Sequence, residues 1–167
     1  DITLTLEDCR RYMREAYACK SGQATPIHVT LIPPFFLPKE YTTEDLACAI
    51  ESEVLPKKLS FTGRVENFDA FSDRTLFAKV LADKKWETLR DAVYSAVTKA
   101  APHCIKKDTR PFTPHLTLAN RDIPFGVMTQ ALNVMNELKL EEDFPVDNIT
   151  IFERQGGKWV SAISLEI

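Results

Sequence analysis

An α+β fold, with antiparallel or mixed sheets and helices packed outside them, is predicted by three features of this sequence. The first is the element order, which reads β-α-β-α-β-β-α-β-α-β-β and is not the strict β-α alternation of a doubly wound parallel sheet. The second is the absence of any low-complexity segment or long linker dividing the chain. The third is size and composition: 167 residues, 44% hydrophobic and 27% charged, suit one soluble domain spanning 1–167 with a real core.

Each element has its own signal. Ile2 to Leu6 alternates and reads as a short strand. Cys9, Tyr12, Met13, Ala16 and Tyr17 then recur at helical spacing, with Gly22 past the expected end. Pro26 precedes an apolar run from Ile27 to Ile32 of strand length, closed by Pro33-Pro34. Thr42 reads as an N-cap, with Glu44 and Asp45 in the first turn and Leu46, Ile50 and Val54 on one face. Two alternating runs, Leu59 to Val65 and Leu76 to Val80, predict a pair of strands joined by a turn near Asp69 and Asp73. Asp83 caps a helix whose stripe is Trp86, Leu89, Val93, Ala96, Val97 and Ala100, and Pro102 stops it. A strand from His115 to Arg121 follows. Pro124 opens a helix with Met128, Ala131, Leu132 and Met135 inward. The chain closes on strands around Ile149 to Phe152 and Trp159 to Ile167, whose link at Gly156-Gly157 favours a tight hairpin.

Charge and composition narrow the function classes. The formal net charge of -3 argues against coating long nucleic acid and leaves room for a small anionic ligand in a local pocket. No apolar run approaches a membrane span, and the N-terminal residues lack the basic region of a secretory signal. Cys9, Cys19, Cys48 and Cys104 show no paired spacing and read as buried free thiols of a reducing, cytoplasmic setting. His103-Cys104 has no partner at metal-ligand spacing, so no metal site is expected. The five dispersed glycines cannot build a phosphate loop.

The informative feature is a repeat. Thr25-Pro26-Ile27-His28-Val29-Thr30-Leu31 and Thr113-Pro114-His115-Leu116-Thr117-Leu118 place two His-x-Thr-Leu segments 87 residues apart, about half the chain. On a strand, residues i and i+2 share a face, so each motif presents an imidazole and a hydroxyl about 7 Å apart. If the motif strands are neighbours, two imidazoles and two hydroxyls converge on a patch the size of a phosphate. Histidine can act as acid or base near neutral pH, and phosphodiester hydrolysis needs both. The threonine hydroxyls can donate to non-bridging oxygens as charge develops there. A lone histidine on a strand is usually structural. Two of the three histidines sharing one pattern is what favours function.

These residues resemble the 2H phosphoesterases, which include the bacterial 2′,5′ RNA ligase-like proteins and cyclic nucleotide phosphodiesterases. Both His-x-Thr-x motifs are intact, and Arg110-Pro111-Phe112-Thr113-Pro114-His115-Leu116-Thr117-Leu118 is especially similar to the family's second motif. The resemblance implies a bilobal fold of two pseudo-symmetric lobes with the motif strands central. It implies His28 and His115 as the catalytic pair and Thr30 and Thr117 on the phosphate. The first strand is shorter than the family's usual one. The expected activity is metal-independent phosphodiester hydrolysis, without cofactor, of a 2′,3′-cyclic phosphate or 2′-5′ linkage in a nucleotide or short RNA. Either histidine could be the base; the family pattern tilts the choice to His115. The alternatives are ligation or RNA-end processing through the same site, and a nucleotide-binding module without turnover. A monomer is expected.

Three further residues are candidates for substrate binding. Arg121 shares strand parity with His115 and Thr117, so it could meet a second phosphate or be a solvated strand end. Phe112 could stack on a base or belong to the core. Arg110 could reach the ligand or be a surface charge.

Overall fold

The computed structural model describes residues 1–22 and 25–167. It is an α+β protein with four helices and antiparallel sheets, as the element order predicts. The chain divides into two compact units: residues 1–29, 63–81 and 113–144 form the first, and residues 30–62, 82–112 and 145–167 the second.

The first unit carries helix α1 (Ile2–Tyr17), most of strand β1 (Phe61–Phe71), strands β2 (Thr75–Val80) and β3 (His115–Asn120), helix α4 (Met128–Asn136) and most of strand β4 (Glu141–Val146). The sheet order is β3-β2-β1-β4, with β1–β2 and β2–β3 antiparallel. Val65, Phe68, Ala78, Val80 and Leu116 fill its buried side.

The predicted strand at Ile2 to Leu6 is instead the first turn and a half of α1. Asp1 caps that helix by accepting from the Thr3 N–H at 2.9 Å. The Ile2-Leu4-Leu6 alternation misleads because Leu6 is the first member of a helical stripe, Leu6-Cys9-Arg10-Met13, that is buried throughout, whereas Leu4 is exposed. The helix ends at Ala18 in the left-handed region (φ 58°), four residues before Gly22. Helix α4 begins at Met128, since the segment from Pro124 to Val127 forms a turn closed by the Val127 N–H on the Pro124 carbonyl.

Strand β4 has no counterpart in the sequence reading. Its acids and Pro145 disguise it, but both suit a sheet edge. Arg64 on β1 holds that edge, contacting Glu66, Glu141 and Asp143, each at 2.9 Å.

The second unit contains helices α2 (Thr43–Val54) and α3 (Lys84–Ala100) and the hairpin β5 (Asn148–Gln155) and β6 (Lys158–Glu166). Thr42 and Asp45 cap α2 reciprocally. The helices pack on each other, with Ile50, Val54, Leu89 and Val93 buried. Gly156 and Gly157 both have positive φ (57° and 79°), the condition for a tight two-residue turn. All four cysteines are free; Cys9 and Cys19 are buried, but Cys48 is exposed and Cys104 half-buried. Burial, with Asp8 nearby, raises the Cys9 thiol to about 11. Among the described residues no helix is long and apolar enough to cross a membrane.

Candidate active site

The second motif lies on β3 as the alternation predicts. His115 faces Lys79 and Thr117 faces Phe77 across the antiparallel ladder, so all four side chains lie on one side of the sheet. Leu116 between them is buried on the other side. His115 rests on two aromatic rings, with its centroid 4.9 Å from Phe71 and 5.2 Å from Phe77. Its Nδ1 lies 2.8 Å from the Thr113 carbonyl. A carbonyl can only accept, so Nδ1 carries a proton and Nε2 is left for proton exchange.

The first motif repeats that detail on a different backbone. His28 Nδ1 donates to the Pro26 carbonyl, also two residues back and also at 2.8 Å. The predicted strand from Ile27 to Ile32 contracts to a single antiparallel bridge, Val29 to Leu116. The reason is visible in the sequence. Pro26 and Pro33-Pro34, which cannot donate, confine any strand here to residues 27–32, and of these Val29 makes the bridge. The bridge nevertheless sets the register. With Val29 opposite Leu116, His28 falls opposite Thr117 on the face that carries His115. His28 and His115 are then diagonal neighbours, about 7–8 Å apart at Cβ. That separation admits a phosphorus centre between the two imidazoles.

The other expected residues are placed unevenly. Thr30 is exposed and is the first residue of the second unit. Arg121 does not share the face of His115 and Thr117. A β-bulge between the Leu76 and Phe77 pairings shifts the register, so Asn120 takes the position on the His115 face and its Oδ1 accepts from Thr75 Oγ1 at 2.7 Å. Arg121 lies beyond the strand at φ 71°, exposed. Phe112 is half-buried in the second unit, with the Arg90 guanidinium 4.8 Å from its ring centroid. Arg110 is engaged by Asp108 at 2.8 Å, which holds the Asp108 carboxyl down at about 2. Among the described residues no three His, Cys, Asp or Glu side chains group as metal ligands.

Sequence reasoning missed the supports. Phe77 was readable in principle, being a phenylalanine on the face of a strand whose Leu76, Ala78 and Val80 point inward. Asp122, past the end of β3, accepts from the Lys20 N–H at 2.7 Å, and from the Ser21 N–H and hydroxyl at 2.9 Å each. Ser21 Oγ in turn accepts from the Asn120 N–H. This ties the loop before His28 to the exit of β3. Burial pushes the Asp122 carboxyl up, but those hydrogen bonds outweigh it and hold the group below the usual carboxylate range.

Comparison with known proteins agrees with the motifs. Residues 3–158, which take in both, match the family model described as the 2′-5′ RNA ligase superfamily. The chain belongs to that superfamily. The resemblance to the 2H phosphoesterases is thereby upheld. The fold is shared with a protein whose structure is described as that of a phosphoesterase (TM-score 0.60, 15% identity, 97% of this chain and 91% of that one). It is shared also with E. coli LigT, solved in complex with 3′-AMP (0.58, 16%, 97% and 91%). A third structure, TT0787 of Thermus thermophilus, aligns at 0.55 with 18% identity, covering 96% and 92%. No curated protein matches the chain. In this member of the 2′-5′ RNA ligase superfamily, the second histidine motif lies on β3 and the first is tied to it by one bridge.

Proposed function

We propose that the protein is a phosphodiesterase that hydrolyses 2′,3′-cyclic phosphates or 2′-5′ linkages in nucleotides or short RNA, working in the cytoplasm. The observation that carries this reading is the matched clamp on the two histidines, each with Nδ1 on the carbonyl two residues back at 2.8 Å. Structural histidines have no need of the same tautomer. A pair with both Nε2 atoms reserved for proton transfer does.

One Nε2 takes a proton from water as the water oxygen bonds to phosphorus. The protonated partner delivers its Nε2 proton to the departing ribose oxygen as the P–O bond breaks. Thr30 and Thr117, each two residues beyond its histidine, donate hydroxyls to the non-bridging oxygens. The scheme needs no metal. Arg121, Phe112 and Arg110 remain proposals for the rest of the substrate, with Arg110 having to leave Asp108. The 3′-AMP bound by LigT belongs to the ligand class this reading requires, a nucleotide with a phosphate on a ribose secondary hydroxyl.

The test is hydrolysis of 2′,3′-cyclic nucleotides and 2′-5′ oligonucleotides in the presence of a metal chelator, with His28→Ala and His115→Ala as controls. Turnover abolished in both variants is expected. Retained activity in His28→Ala would sink the two-histidine scheme. Ligation is the same displacement with a 5′-hydroxyl in place of water: the 5′-oxygen bonds to phosphorus as a ribose P–O bond of the cyclic phosphate breaks. It is distinguished by incubating 2′,3′-cyclic phosphate and 5′-hydroxyl ends together and looking for joined product.

A further inference from the structure

We propose that Arg10, locked by Glu7, is the positioning residue that sets His28. This rests on the reading of His28 as an acid–base group. The segment around His28 has one bridge in place of a ladder, so ordinary sheet pairing does not fix it. Something else must.

Arg10 is 5% exposed, a rare state for a guanidinium. All three of its nitrogens donate. Nε and Nη2 grip the Glu7 carboxylate at 2.7–3.2 Å, and Nη1 donates to the carbonyls of Gly22 at 2.6 Å and Thr25 at 2.7 Å. The Thr25 N–H and hydroxyl also donate to the Gly22 carbonyl, at 3.2 and 3.0 Å. The Thr25 carbonyl shares a peptide plane with the Pro26 nitrogen, so pinning that oxygen fixes the plane. The proline ring fixes the next φ. The Pro26 carbonyl, thus aimed, accepts from His28 Nδ1 at 2.8 Å. A short path of hydrogen bonds and restricted torsions, with the Pro26 ψ as a soft link, runs from the guanidinium to the imidazole. His115 is held differently, by a strand and two rings. The Arg10 clasp therefore acts on one histidine alone.

The experiment compares wild type, Arg10→Met, Arg10→Lys and the control Arg11→Gln, an exposed neighbour on the same helix paired with Asp8. Steady-state turnover of a 2′,3′-cyclic nucleotide is measured, and the tautomers of His28 and His115 are read by nitrogen-15 NMR of the full chain. In Arg10→Met, kcat is expected to fall about 10²-fold, the cost of a misplaced group about 1 Å off line, with KM within about threefold. His28 shifts from Nδ1–H toward Nε2–H while His115 stays unchanged. Arg11→Gln matches wild type. A folded Arg10→Met with wild-type kcat, or with an unchanged His28 spectrum, overturns the proposal. Should Arg10→Met fail to fold, Arg10→Lys is judged on the same criteria, because it keeps the charge but loses the planar fork. If wild type turns over no substrate, the phosphodiesterase reading falls, and the His28 spectrum alone then supports or overturns the Arg10 link.

Discussion

Replacing each motif histidine by asparagine separates what the imidazole does for stability from what it does for chemistry. The asparagine side-chain N–H can stand where Nδ1 stands and donate to the same carbonyl two residues back, but it has no titrating group in the place of Nε2. His115→Ala loses one hydrogen bond, worth about 1 kcal/mol, and ring contacts with Phe71 and Phe77 worth about 0.5–1.5 kcal/mol in all. Its expected destabilisation is about 2 kcal/mol. For His28→Ala the loss of its exposed hydrogen bond to the Pro26 carbonyl counts for about 0.5 kcal/mol. The asparagine variants recover the hydrogen-bond part, so His28→Asn is expected at wild-type stability and His115→Asn about 1 kcal/mol below it. Turnover is expected to fall by about 10²–10⁴ in both, since proton transfer is removed outright. Urea unfolding and kcat/KM on one 2′,3′-cyclic nucleotide give the two axes. An asparagine variant with near wild-type turnover would refute acid–base catalysis at that position. A large loss of stability in His28→Asn would instead show His28 to be structural.

Three other consequences are measurable. Asp122→Asn is expected to destabilise by about 1 kcal/mol at neutral pH, allowing for its exposure. Because the folded-state value is lowered, this contribution is present above the ordinary carboxylate value of about 3.9 and is lost as pH falls through the lowered one, so wild type and variant should converge in acid. Gly156→Ala meets no atom within 4 Å but keeps φ 57°, so thermal melts should report a conformational cost of about 1 kcal/mol that Gly156→Asn largely avoids. Arg64→Met removes the charge that three carboxylates of β1 and β4 share, so amide hydrogens of residues 141–144 should exchange several-fold faster while those of β2 and β3 hold.

Where the sequence was legible, local chemistry and tertiary demand agree. Thr42 and Asp83 are side-chain caps that work in any context, and the helices behind them fall where their stripes place them. Gly156-Gly157 determines its own turn. The motif strand at His115 is readable because one side is wholly buried and the other is not. Errors arose where two periods coincide or where a partner decides. Ile2, Leu4 and Leu6 satisfy a strand until Arg10 is seen to lie in line with Leu6 and Met13, and a charged residue in that stripe discourages the helical count that is correct. Strand β4 exists because Arg64, some 77 residues earlier than Glu141, neutralises it. The bulge that displaces Arg121 from the His115 face leaves no mark in the residue types of Leu118 and Ala119, both apolar and both buried.

The matched clamps on the two histidines also bear on why the supports differ. A clamp through Nδ1 is only as firm as the carbonyl it uses. For His115 the backbone belongs to a strand paired with β2, and the rings of Phe71 and Phe77 back the imidazole. For His28 the carbonyl belongs to Pro26, in a segment with almost no ladder. A buried guanidinium is costly to desolvate, and its use there is understandable only if the loop cannot be ordered more cheaply. Pro26 and Pro33-Pro34 confine any first motif strand to the residues between them, and Val29 makes the bridge there. On the proposal above, Arg10 supplies the order that pairing does not. It makes the geometry of His28 depend on helix α1, the element whose start the sequence disguises as a strand.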